Sequence, residues 1–197
     1  MKNLFILFGV LAGLVLFDTR PVAAQDFARQ HEVSLSVGWL PSPTNFTKYD
    51  YNAFYHRGAT YTGGAWTAAY GYSFKKWLQV GGAITYYGEF GSVHNNLDDS
   101  KVRNESCNLI FITPTVRFAW LNRNWVRLYS TVGIGYGLAV EKYSNTYTSH
   151  GLSCQLTPIG IIVGKSLYGF AELGIGSQGI AKVGIGYRFN NKKHTKK

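Results

Sequence analysis

Hydrophobic residues alternate with small or polar residues along most of the chain, with a period of two. Because successive side chains of a β-strand point to opposite faces, each alternating segment predicts a strand with one apolar and one polar face. Eight such segments occur, at about 32–39, 65–74, 78–86, 110–120, 126–138, 152–164, 171–176 and 180–189. The phase of the sixth is unclear, since its apolar residues do not keep one alternation.

The connections between these segments are of two sizes. Tight turns are predicted at 75–76, 121–124, 165–167 and 177–179, and longer polar connections at 41–62, 88–104 and 141–151. An even number of strands with short turns at one end and mostly long loops at the other is typical of outer-membrane barrels. The pattern therefore predicts an all-β fold, an eight-stranded antiparallel up-and-down transmembrane β-barrel.

The bulky face of this barrel is expected to point outward. Eight strands enclose only enough space for side chains, which the Gly-, Ser- and Thr-rich face fits better than the face of Val, Leu, Ile and aromatic residues. The outer band would then contact lipid, because so large an apolar surface is not tolerated in water. Aromatic residues near the strand ends would form interfacial girdles: Trp39, Phe74, Tyr86, Trp120, Tyr187 and Phe189.

The N-terminus indicates export. A basic start, Met1-Lys2-Asn3, precedes an apolar run at 4–17 and the small residues Val22-Ala23-Ala24, which is the order of a secretory signal peptide. The run is shorter than the roughly 20 residues of a spanning helix, although an uncleaved anchor is the alternative. We expect a signal peptide at 1–24, the barrel at 25–189 and a basic periplasmic tail at 190–197.

The net charge of +10 would by itself suggest nucleic acid as a partner. The basic residues, however, concentrate in the tight turns and the tail, at the periplasmic rim of the expected barrel. Anionic lipid head groups explain this placement more simply than nucleic acid does, and periplasmic anionic polymers are a further possibility. We therefore expect outer-membrane lipids and lipopolysaccharide as partners, and no nucleic acid.

A few charges fall on the inward face: Glu32, Arg117, Arg127, Glu172, Lys182 and Arg188. Since buried charges must pair, Glu32 is expected to meet Arg188 where the first and last strands close the barrel. Glu172 is expected among Lys182, Arg127 and Arg117. Such a network is either a structural polar plug or, alternatively, a path for protons or ions.

The closing strand runs Val183-Gly184-Ile185-Gly186-Tyr187-Arg188-Phe189. With the eight-segment pattern over 25–189, it resembles the small outer-membrane barrels of the OmpX and Ail type and the outer-membrane β-barrel proteins of Bacteroidetes. The resemblance implies a monomer in the outer membrane of a Gram-negative bacterium. It also implies that Tyr187 and Phe189 belong to a signal read by the barrel assembly machinery. That family usually ends at this phenylalanine, whereas Asn190 to Lys197 follow here.

Candidate chemistry is sparse. The five histidines (His31, His56, His94, His150 and His194) fall at strand ends or in loops, without a His-x-Ser pair or metal-ligand spacing. The sequence thus predicts no metal, cofactor or catalytic residue. Cys107 and Cys154 begin the descending fourth and sixth strands. An oxidising compartment favours a disulfide between them, but these strands are not neighbours, so the question stays open.

The first long loop is rich in aromatic residues beside two cations, and it is a candidate interaction surface: Phe46, Lys48, Tyr49, Tyr51, Phe54, Tyr55, Arg57 and Tyr61. Packing on the rim or against lipopolysaccharide is the alternative. The function expected is a non-enzymatic barrel with a closed polar lumen, whose loops make envelope or adhesion contacts with a surface or host ligand. A lipid A-modifying enzyme and a narrow pore are the alternatives.

Overall fold

The protein is described by a computed structural model, at residues 29–39, 55–95, 97, 100–142 and 146–189. Its eight strands form one closed antiparallel barrel in sequence order. They are β1 (Gln30–Trp39), β2 (Tyr55–Ser73), β3 (Leu78–Asn95), β4 (Lys101–Asn122), β5 (Val126–Lys142), β6 (Thr146–Gly164), β7 (Leu167–Gly176) and β8 (Ala181–Phe189). The predicted fold class is confirmed. No helix in the described ranges is long and apolar enough to cross a membrane.

The barrel closes where β1 pairs with β8, from His31 opposite Phe189 to Trp39 opposite Ala181. On β1 the apolar residues point outward and the polar residues inward, as predicted, since Val33 and Leu35 are exposed while Glu32 and Ser36 are buried. The aromatic girdle residues Trp39, Phe74, Tyr86, Trp120, Tyr187 and Phe189 also point outward and are all 40–58% exposed. The barrel wall thus presents an apolar exterior and buries the charges of its inward face.

The sixth strand changes phase within itself. Ser153, Gln155 and Thr157 point into the lumen before Pro158, and Gly160 and Ile162 do so after it. The register of β6 shifts at this point against both neighbouring strands, and the Pro158 carbonyl accepts a hydrogen bond from Ser130 Oγ at 2.6 Å. A β-bulge at Pro158 therefore explains why no single alternation was readable in this segment.

Two of the predicted long loops are mostly strand. The segments 88–95 and 101–104 belong to β3 and β4, and 141–142 and 146–151 to β5 and β6. Both faces of these segments carry polar residues, so their side chains show no alternation, although their backbones pair in register. The five strands β2 to β6 thus have 17 to 22 residues each, while β1, β7 and β8 have 9 or 10.

The added length forms a sheet that rises from one side of the barrel mouth, which we call the sheet extension (residues 55–64, 88–95, 101–108, 139–142 and 146–154). In the described part of the chain, residues 55–64 of β2 and 146–153 of β6 pair on one side only. The extension therefore has two edges.

Candidate functional site: the barrel lumen

Glu32 is the centre of the charge network at the periplasmic end of the lumen. Its Oε1 accepts hydrogen bonds from Arg188 Nε at 2.8 Å and from Arg127 Nη1 at 3.0 Å. Its Oε2 accepts from Arg117 Nη1 at 3.2 Å and from the Tyr168 hydroxyl at 3.3 Å. As expected from the closure of the barrel, Arg188 lies directly opposite Glu32 in the register of β1 and β8.

Glu172 forms a second centre farther along the lumen. Its carboxylate accepts from Lys182 Nζ at 2.7 Å and from the Tyr129 hydroxyl at 2.6 Å. Arg117 Nη2 lies 3.7 Å from it, so this one guanidinium connects the two carboxylates. Both glutamates are buried, and the pairing compensates the cost of removing these charges from water.

Arg127, which was expected near Glu172, pairs with Glu32, and its Nη1 donates to Glu32 Oε1 at 3.0 Å. Arg127 is the second residue of β5 and lies at the periplasmic end, level with Glu32 rather than with Glu172. Asn122 Oδ1 accepts from its Nε at 2.8 Å and holds the side chain there.

Neutral side chains that the sequence analysis did not single out complete the network. Tyr129, Tyr168 and Gln79 contact the charged groups, and the Gln79 carbonyl oxygen accepts from Arg117 Nη1 at 2.9 Å. The inward phase of Gln79 and Tyr129 marked these two as lumen residues, whereas Tyr168 precedes the seventh predicted segment. Phase alone does not distinguish a network member from a side chain that only fills space. Tyr129 and Tyr168 also lie under cations, with Arg117 and Arg188 at 4.2 and 4.3 Å from the ring centres.

The short β7–β8 turn closes the lumen above Glu172. Ser177 and Gln178 are buried. The side-chain oxygen Oε1 of Gln178 accepts from Lys182 Nζ at 2.5 Å. The backbone N–H of Gln178 donates to Gln155 Oε1 at 2.9 Å. This outer turn is therefore part of the lumen rather than of the surface.

The lumen beyond this turn is mostly apolar, with Glu89 as a buried charge, where the sequence predicted a closed polar lumen. A cluster of buried side chains fills it: Ala65, Tyr87, Cys107, Leu109, Phe111 and Ala139. Leu109 and Phe111 lie on the same inward phase of β4 as Thr113 and Arg117. The inward face of one strand thus changes from apolar to charged along its length.

The two cysteines are not joined. Cys107 is buried in the apolar cluster, whereas Cys154 is exposed on the outer face of β6, and neither belongs to a disulfide. Their side chains lie on opposite faces of non-adjacent strands, so the two sulfur atoms are not placed to form the disulfide that an oxidising compartment favours.

A serine–histidine pair lies on the outer face of the sheet extension. Ser92 Oγ is 3.1 Å from His94 Nε2, and Asn104 lies opposite Ser92 in the register of β3 and β4. The signal in the sequence is the order Ser-x-His, the reverse of the His-x-Ser order expected for a catalytic pair. Two further histidines contact aromatic rings: His31 stacks on Phe189, and His150 stacks on Tyr136.

Most of the candidate interaction loop lies outside the described residues, namely Phe46, Lys48, Tyr49, Tyr51 and Phe54, as do the expected signal peptide at 1–24 and the tail at 190–197. Tyr55 and Arg57 belong to the β2 backbone, opposite Asn95 and Val93. Tyr61 is 73% exposed on the same strand. Tyr187 and Phe189, the expected assembly signal, stack on each other at the end of β8.

Comparison with known proteins gives a likeness of fold. No family model matches the chain, and no curated protein matches it. Among solved structures, the chain is similar to Ail, the attachment invasion locus protein of Yersinia pestis, in complex with the heparin analogue sucrose octasulfate. The two share 15% sequence identity, the match covers 82% of this chain and 99% of that chain, and the TM-score is 0.47. A second structure of the same protein gives 16% identity, the same coverage and a TM-score of 0.45.

The exterior of the barrel places the protein in the outer membrane. Within a bilayer every backbone polar group must be paired, which a closed barrel achieves. Here the closed barrel carries an outward apolar band with aromatic residues at the strand ends, as outer-membrane barrels do.

Proposed function

We propose that this outer-membrane barrel is a non-enzymatic surface protein, whose sheet extension makes adhesion or envelope contacts. The observation that carries the proposal is the apolar outer face of the extension and of its β3–β4 turn: Tyr61, Phe90, Val102 and Leu152 on the strands and Leu97 in the turn are 49–86% exposed. A tilted strand needs about 9–11 residues to cross the bilayer. Counted from the periplasmic turns, these side chains lie beyond that length, and exposed apolar patches outside lipid are typical of interaction surfaces.

The two edges of the extension support the same role, because unpaired strand edges can accept a strand from a partner. The buried lumen contributes rigidity, since its ion pairs and apolar cluster hold the strands that carry the extension. A narrow pore has no such supporting observation, because apolar side chains fill the outer half of the described lumen.

The test replaces Phe90, Leu97 and Val102 together by serine in cells that display the barrel. Attachment of these cells to matrix-coated and abiotic surfaces should fall severalfold, while heat-modifiable gel migration stays unchanged. A matched control replaces Ile110 and Ile112 by valine, because both are exposed on the part of β4 that lies outside the sheet extension. Undiminished attachment of the triple variant at equal surface expression would refute the adhesion role.

A second candidate function, acyl-ester hydrolysis on a lipid, rests on the Ser92–His94 pair. Ser92 Oγ would attack the ester carbonyl while His94 Nε2 accepts its proton and returns it to the leaving alcohol, and water would then release the acyl group from Ser92. Mass spectrometry of lipid A from cells with the wild-type protein, Ser92→Ala and no protein tests it. A shortened acylation pattern that only the wild type produces is the expected result, and identical spectra from all three strains would exclude it.

A further inference from the structure

The lumen contains a small cavity directly above Arg117, on the side of the barrel formed by β1 to β4. Its volume is about 30 Å³, and its lining includes Ser34, Ala69, Thr115 and the Glu32–Arg117 pair. A cavity of this size holds a particle of water size or slightly larger. It exists because this wall of the barrel carries small residues, whereas Tyr129, Tyr168 and Phe170 fill the opposite wall.

Two hydroxyl groups line this cavity without a protein partner. In the described chain, neither Ser34 nor Thr115 forms a side-chain hydrogen bond, although both face the lumen. Gly71 and Gly81 line the same cavity. A Cβ at Gly71 would collide with the Gln79 amide. Gly71 therefore leaves the space in which Gln79 accepts a hydrogen bond from Arg117. The cavity as a whole offers two O–H donors, Ser34 and Thr115, next to a guanidinium.

The charge around the cavity is unbalanced. Four cations surround two carboxylates in this part of the lumen, namely Arg117, Arg127, Arg188 and Lys182 around Glu32 and Glu172. The remaining buried carboxylate among the described side chains, Glu89, lies farther out, opposite Cys107. Glu32 lines the cavity, but three arginines already neutralise it. A surplus of positive charge away from bulk water favours uptake of a counter-anion.

The approach from the periplasmic side is also cationic. A cleft on the other side of the Gln79–Arg117 pair is lined by Lys75, Lys76 and Arg127, with no acidic residue in its lining. Ser73, which lines the same cleft, is buried and its Oγ has no hydrogen-bond partner. The periplasmic side of the Gln79–Arg117 pair thus also carries a positive electrostatic potential, which favours an anion over a cation.

From these observations we infer that the lumen binds one small inorganic anion of chloride size in the cavity above Arg117. The anion would accept hydrogen bonds from Ser34 and Thr115 and lie against the Arg117 guanidinium. It would balance part of the surplus charge, so the folded barrel would be stabilised by halide.

Crystals of the full-length refolded protein grown with sodium bromide test the site directly. We expect an anomalous peak between Ser34, Thr115 and Arg117. In solution, the midpoint of the heat-modifiability transition should be about 3–6 °C higher in chloride than in gluconate of equal ionic strength, if chloride is present at about ten times its Kd. Gluconate serves as the comparison because it is too large for the cavity.

Ala69→Leu fills the cavity from the lumen side, and Ala68→Leu is its control, because Ala68 is exposed on the outer face of the same strand. The chloride effect should disappear in A69L and persist in A68L. If A69L does not fold, Thr115→Val, which keeps the shape and removes one donor, should at least halve the chloride effect. An empty cavity in bromide crystals, or equal midpoints in chloride and gluconate, would overturn the inference.

Discussion

The inner and outer halves of the lumen stabilise the barrel in different ways. At the periplasmic end, Glu32 and Glu172 hold four cations and two tyrosine hydroxyls, whereas at the outer end Leu109 and Phe111 pack in a cluster without charged members. The charged half depends on complete pairing, since one missing partner leaves a buried charge. The apolar half depends on volume, since one missing side chain leaves a cavity.

The largest effect is expected from Glu32→Ala, because it leaves Arg117, Arg127 and Arg188 without their common acceptor. Removal of one partner of a buried ion pair costs about 3–5 kcal/mol. Urea unfolding of the refolded barrel in lipid vesicles measures the loss of unfolding free energy. Thr148→Val, at an exposed position, should change it by less than about 0.5 kcal/mol. A loss below about 1 kcal/mol in E32A would show that the network does not hold the periplasmic end together.

The sequence predicted the charged half of the lumen well and the apolar half poorly. Glu32 and Arg188 could be paired because strand closure makes β1 and β8 neighbours, and charges on an inward face must find partners. Leu109 and Phe111 were passed over because β4 is hydrophobic on both faces there, so alternation gives no contrast. The bulge at Pro158 and the pairing of the polar segments 88–95 and 146–151 depend on backbone hydrogen bonds, which leave no periodic trace in side chains.

Phe111→Ala tests the outer half. Phe111 is 1% exposed, and truncation of a buried phenylalanine costs about 3–5 kcal/mol, part of it from the cavity left behind. The matched control is Phe118→Ala on the same strand, because Phe118 is 43% exposed on the outer face. The same urea assay should show a smaller loss for F118A, and equal losses would contradict the placement of Phe111 in the core of the lumen.

Double-mutant cycles ask whether the two halves act independently. Glu32 lies in the charged half of the lumen and Phe111 in the apolar cluster, so the losses of E32A and F111A should add within about 0.5 kcal/mol. Glu172 and Lys182 are in direct contact at 2.7 Å, so the cycle of Glu172→Gln and Lys182→Met should show a coupling of about 1–3 kcal/mol. Coupling between Glu32 and Phe111 as strong as that between Glu172 and Lys182 would mean that the lumen behaves as one unit.

The smallest effect is expected where the two halves meet. Thr67 Oγ1 and Thr85 Oγ1 lie 2.9 Å apart, and Thr85 is opposite Phe111 in the register of β3 and β4, so this hydrogen bond joins the polar side of the lumen to the apolar cluster. Thr67→Val keeps the shape but leaves the Thr85 hydroxyl without this partner, at a cost of about 1 kcal/mol. Thr67→Val combined with Thr85→Val removes both polar groups and should recover much of that loss, because no buried hydroxyl then lacks a partner. Unfolding free energies of the two variants in the same vesicles decide the point. A double variant clearly less stable than T67V would show that the Thr67–Thr85 hydrogen bond stabilises the barrel by more than the pairing of its two hydroxyls. The boundary between the two halves would then be fixed by hydrogen bonding rather than by packing.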